Sequence, residues 1–157
     1  MGLLDSISTA TGGPSSLYLK GGRHVIQITR VNFREGDGDL GPSFRIDGQL
    51  LKTTNEEHAT DVGNTVTCND AFKFKKESLA RMRRMLTAAL SAAEGRKATE
   101  AEITSKKAEE LCGPDQPLVG AVVAIIGVTK KNKTTGTPYT LYEAVIPNDH
   151  DLDGVDL

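Results

Sequence analysis

The stretch LVGAVVAIIGVTKKNKTTGTPYTLYEAVIP, Leu118 to Pro147, decides the fold. Two runs rich in Val, Ile, Leu and Tyr flank a polar loop holding Lys130, Lys131, Lys133, Gly136 and Pro138. That is the pattern of a β-hairpin with a long, basic tip. The first run, Val119 to Val128, is apolar at nearly every position, so its strand is expected to be covered on both faces inside a closed or well-packed sheet. The lysines then project from a rigid base.

Upstream, Gly21-Gly22 turns the chain into RHVIQITRVNF, whose β-branched content predicts a first strand from about Arg23 to Phe33. Ile26 and Ile28 share one face while Val31 and Phe33 fall on the other, which calls for a bulge near Thr29 or Arg30. FRIDGQLLKT alternates Phe44, Ile46, Gly48 and Leu50 with Arg45, Asp47 and Gln49, a second strand with one polar face available for binding. TVTCNDAFKFKK reads as a third strand that Asn69-Asp70 could interrupt. From Glu77 the period becomes helical. Leu79, Met82, Leu86, Ala89 or Leu90, and Ala93 form a stripe ended by Gly95. Thr99 with Glu102, or Thr104, starts a second helix that Gly113-Pro114 stops. Three strands, a helical insertion and two strands make a mainly β chain in the element order of the OB-fold. The expected fold is a five-stranded OB-like barrel with one or two helices between strands 3 and 4.

The bulk numbers fit one globular domain: 157 residues, 38% hydrophobic and 25% charged. Three parts are expected: a flexible arm at 1–16, an OB-like domain at 17–147, and an acidic tail at 148–157. No apolar run approaches the roughly 20 residues of a membrane span, and no membrane partner is expected. Cys68 and Cys112 form no CxxC pair and the N-terminus has no secretory pattern, which points to a reducing, cytoplasmic compartment. The net charge is −2, but four aspartates in the last ten residues account for −4, leaving +2 on the body.

Four constellations could carry function. Lys130, Lys131 and Lys133 suit a phosphate backbone, giving salt-sensitive and sequence-independent affinity. Phe72, Lys73, Phe74 and Lys75 alternate rings and ammonium groups, so bases could stack while phosphates pair, although one ring is expected in the core. Tyr139 and Tyr142 fall on opposite faces of the last strand, one of them inward. Asp149, Asp151, Asp153 and Gly154 match the first half of an EF-hand loop, but the twelfth-position Glu is missing, so no metal is expected. Catalytic motifs are lacking: His24, His58 and His150 are scattered. Asp37, Asp39, Glu56, Glu57 and Asp61 are more readily hydrated loop acids than a nuclease site. No enzyme and no cofactor is expected.

An OB-like body with a basic loop in its final hairpin and an acidic C-terminus with apolar residues resembles phage and bacterial single-stranded DNA-binding proteins. The resemblance implies a single-stranded DNA binder of little sequence preference, serving replication or recombination, in the host cytoplasm if phage-encoded. It places partner recruitment on Asp151, Asp153, Asp156 and Leu157, and the basic loop on Lys130, Lys131 and Lys133. The residues expected at DNA are then Arg45, Phe72, Lys73, Phe74, Lys75, Lys130, Lys131, Lys133, Tyr139 and Tyr142. The partners would be single-stranded DNA and replication or recombination proteins, with a homo-oligomer possible. The alternative is a phage assembly protein whose barrel makes subunit contacts.

Overall fold

The computed structural model describes residues 17–36, 41–72 and 75–155. The expected arm at 1–16, together with Asp37, Asp39, Lys73, Phe74, Asp156 and Leu157, lies outside them, as does the side chain of Lys75.

Among the described residues the chain is mainly β, a curled, mixed sheet of six strands with a few helices. The strands are β1 (Leu17–Tyr18), β2 (Gly22–Arg34), β3 (Ser43–Thr53), β4 (Thr65–Asp70), β5 (Val122–Lys131) and β6 (Pro138–Val145). Their order in the sheet is β1-β4-β3-β2-β5-β6. β2, β3 and β4 form an antiparallel meander, and β5 returns after the helical insertion to pair with β2, a Greek-key arrangement. The sixth strand, beyond the five expected, is β1. It is only two residues long and pairs in parallel with β4. Its alternation gives it away: Leu17 and Leu19 pack inward around an exposed Tyr18.

The expected bulge is present, because the β2–β3 register shifts between Ile28 and Arg30. This lets Ile26, Ile28 and Val31 all reach the core, where they meet Phe44, Ile46, Leu50, Val66 and Cys68. β4 stops at Asp70, at the interruption that Asn69-Asp70 offers. Phe72 adopts φ +48° there, and the chain turns into a helix.

The insertion holds α1 (Lys75–Glu94), a 3-10 turn (Glu100–Glu102) and α2 (Ser105–Leu111). Both expected starts are used: the Glu102 carboxylate accepts from Thr99 N at 2.7 Å, and Thr104 Oγ1 accepts from Lys107 N. Gly95 ends α1 with φ +65°. The buried stripe of α1 is rotated from the expected one. Ser78, Met82, Met85, Leu86, Ala89 and Leu90 face inward, whereas Leu79 is 45% exposed and Ala93 is exposed. The rotation is fixed in the first turn, where Ser78 Oγ donates to Asp70 and Arg81 Nε pairs with the same carboxylate at 3.0 Å.

In the hairpin, full coverage is confined to the middle. Val123, Ala124 and Ile125 are buried, whereas Val119 and Val128 are each 50% exposed. Val25 and Ala124 are buried outside the main core cluster, and they pair across β2 and β5 on the outer face of the sheet. The C-terminal segment crosses this face as α3 (Asp149–Leu152). Its Asp151 accepts two bonds from Arg23, and Lys52 Nζ donates to the carbonyls of His150 and Asp153. The acidic C-terminal segment is therefore docked through Asp153.

Candidate nucleic-acid interface

One face of the β2–β3–β4 meander is polar because the inward residues alternate with outward ones. The registers build rows across it. Asn32, Arg45 and Asn69 form one row, and Arg30, Asp47, Thr67 and Tyr18 form the next. Gln27, Gln49 and Thr65 form a third. Arg45 Nε donates to Asp47 Oδ1 at 2.8 Å, and Thr67 Oγ1 donates to the same oxygen at 2.6 Å. Arg45 is therefore partly neutralised and held flat along the sheet. Among the described residues Arg30 and Arg34 have no ion pair.

The hairpin supplies the second basic element. Lys130 and Lys131 end β5 opposite Tyr139 and Pro138. Lys133 sits in the turn, which the Asn132 side chain organises by accepting from the N–H groups of Thr134 and Thr135. All three lysines are exposed and none has an ion pair among the described residues. No acidic residue occurs between Asp115 and Glu143, so the tip is electropositive along its whole length. In contrast, Arg23, Arg81, Arg84 and Arg96 each face a carboxylate.

The expected stacking residues divide. Tyr142 is buried and its hydroxyl donates to the Leu19 carbonyl, which ties β6 to the strand that opens the sheet. Burial pushes that hydroxyl's pKa up. Phe72 is also buried, with its ring tilted against Phe33 at 5.7 Å. Neither ring offers an open face. Tyr139 is half-buried on the outward side of the hairpin. Tyr18, which no sequence pattern singled out as a stacking residue, is 52% exposed on the polar face. Its only signal in the sequence is the alternation Leu17-Tyr18-Leu19.

Among the described residues, no tail carboxylate pairs with a lysine of the tip. Both oxygens of Asp151 are engaged at 2.7 Å by Arg23, and Oδ2 also accepts from Asn148 N. Those bonds hold its pKa down at about 2. Asp153 is exposed. The EF-like pattern is thus spent on capping α3 and on Arg23, and among the described residues no cluster of three or more metal-ligating side chains occurs. His24 and His58, far apart in sequence, lie together with ring centroids 5.5 Å apart, but both are buried and every ring nitrogen has a partner.

An open groove of about 830 Å³ lies elsewhere, between the end of α1, the loop before β5 and α3. It exposes Val119 and Ile146 rather than converging polar groups. No helix among the described residues is long and apolar enough to cross a membrane. The chain matches no known protein-family model, and no curated protein is similar to it.

Proposed function

We propose that the protein binds single-stranded DNA with little sequence preference, and is not an enzyme. The observation that carries this reading is the acid-free tip of the hairpin, whose three exposed lysines extend from a sheet with a polar, arginine-bearing face. A strand of phosphates can follow such a surface, and each phosphate neutralised releases counterions. The topology supports an OB-like barrel: setting β1 aside, a meander, a helical insertion and a returning hairpin leave the polar face on the second and third strands of the five. In that fold this face and the last hairpin loop hold oligonucleotides.

Arg45, Lys130, Lys131, Lys133 and Tyr139 remain at the DNA in this reading, and Arg30 and Arg34 join them. Recruitment of replication or recombination partners would fall to the exposed acids Asp149 and Asp153 and the residues after them, since Asp151 is occupied by Arg23. A labelled thymidine 20-mer titrated at several salt concentrations tests the proposal. Micromolar or tighter binding that falls steeply with salt supports it, and no binding at low salt refutes it. A large assembly in light scattering combined with no DNA affinity would favour a structural role instead.

A further inference from the structure

Arg45 stands on the polar face of β3, and its guanidinium is fixed by two bonds. Nε donates to Asp47 Oδ1 at 2.8 Å, and Nη2 donates to Thr67 Oγ1 at 3.5 Å. The Thr67 hydroxyl gives its own proton to the same Asp47 oxygen at 2.6 Å, so Arg45 meets its lone pairs. A guanidinium donates within its own plane. Asp47 lies two residues further along β3, and Thr67 is its ladder partner on β4. One direction in the plane therefore runs along the strand and the other across it. The plane they define is that of the sheet, with one face of the guanidinium toward the strands and the other outward.

Burial agrees with that orientation. Thr67 is buried and the Asp47 side chain is 13% exposed, whereas that of Arg45 is 30% exposed. The ladder neighbours of Arg45 are Asn32 and Asn69, which bring no charge. What faces outward is a flat, weakly hydrated cation whose charge Asp47 already matches. This is a poor clamp for phosphate, because Nε is engaged and a carboxylate stands beside it. It suits a nucleobase, since unstacked bases lie on guanidinium planes as they do on rings.

We infer that Arg45 is a base-stacking residue of the interface rather than a phosphate contact, and that Asp47 and Thr67 are positioning residues that hold its plane parallel to the sheet. The inference rests on the single-strand-binding reading and deepens it. With the rings of Phe72 and Tyr142 buried, a planar group from another side chain takes a base on the meander. The ligand is then a strand whose bases are unpaired and splayed, a form that a duplex does not present. Phosphate contacts fall to the cations without a carboxylate partner, Arg30, Arg34 and the lysine tip.

The experiment measures affinity for a thymidine 20-mer, and for a 20-mer of abasic sites, across a salt series. Arg45→Ala should weaken thymidine binding roughly tenfold at every salt concentration, on the scale of base stacking, and leave the slope of log K against log salt unchanged. Arg45→Lys keeps the charge without the plane and should bind as weakly as Arg45→Ala. On the abasic strand, wild type and both variants should bind alike. Asp47→Asn removes the charge that occupies Arg45 and should steepen the slope by about 0.7, the share of one phosphate. A slope shallower by about 0.7 in Arg45→Ala, with Arg45→Lys at wild-type affinity, makes Arg45 a phosphate contact and overturns the stacking role. An unchanged slope in Asp47→Asn overturns the positioning role of that carboxylate. If Arg45→Ala does not fold, Arg45→Lys, which retains a cation for Asp47, decides alone. A wild type that binds no thymidine strand at low salt refutes the single-strand reading, whereas a wild type that binds, with Arg45→Lys unimpaired, refutes only the stacking role.

Discussion

Gly127 shows how closely the hairpin is fitted to the segment before β2. A Cβ at this position would lie 2.6 Å from the Lys20 carbonyl oxygen, which is backbone and cannot swing away. Gly127→Ala is expected to destabilise the fold by about 1–3 kcal/mol through overpacking, measurable as a lower urea midpoint with unchanged slope. Asp151 acts over a longer range, since its partner Arg23 is 128 positions away. Asp151→Asn removes a charge-assisted pair and should cost about 1.5–3 kcal/mol by the same measurement. The pH dependence has a definite sign for both titrating groups. Asp151 has a native pKa near 2 against an ordinary 3.8, so its contribution is complete above about pH 4 and is lost as pH falls through 2. His24, lowered by burial, contributes fully above its ordinary 6.5, and that contribution declines as pH falls toward its native value. Urea titrations at pH 7.5, 5.5 and 4.5 should therefore show stability already falling at 5.5, before Asp151 protonates.

Among the elements, the hairpin and the C-terminal segment are predicted to separate function from stability. Replacing Lys130, Lys131 and Lys133 by Ala leaves the core untouched, because all three are exposed. It should weaken oligonucleotide binding and reduce the slope of log K against log salt by about 2, near 0.7 for each phosphate no longer neutralised. Circular dichroism and thermal midpoint should stay at wild-type values. Deleting residues 148–157 should do the opposite. It strands Arg23 and removes both carbonyl acceptors of Lys52, so the thermal midpoint should drop by about 5–10 °C while affinity for DNA is unchanged or rises. The elements themselves were legible wherever a period or a cap spanned a few residues. The β2 bulge followed from a switch of apolar parity, and Gly95 and the Thr99–Glu102 pair marked helix ends. The start of α1 was legible only to Glu77, against Lys75 in the structure, because Phe72-Lys73-Phe74-Lys75 alternates as a strand does. The turn at Phe72 depends on Asp70 accepting from the Phe72 N–H and from Ser78, bonds with no periodic signature.

For the whole molecule, the amino-acid sequence by itself determined a mainly β chain with a helical insertion and a basic closing hairpin. It did so because burial of alternate or every-third-to-fourth side chain is a local constraint that leaves a repeating trace. It also placed the lysines correctly on an exposed tip, since a run without carboxylates needs no tertiary partner to stay positive. Tertiary structure alone decided which tyrosine faces inward, that residues 149–153 lie against Arg23 and Lys52, and that His24 and His58 meet around Lys20. It decided as well that Leu17–Tyr18 is a sixth strand, setting Tyr18 beside Thr67 and Asp47 on the polar face. Each of these is a pairing between residues brought together by the curl of the sheet. Single hydrogen bonds of that kind, unlike an apolar period, are written at two distant positions, and neither position reveals the other.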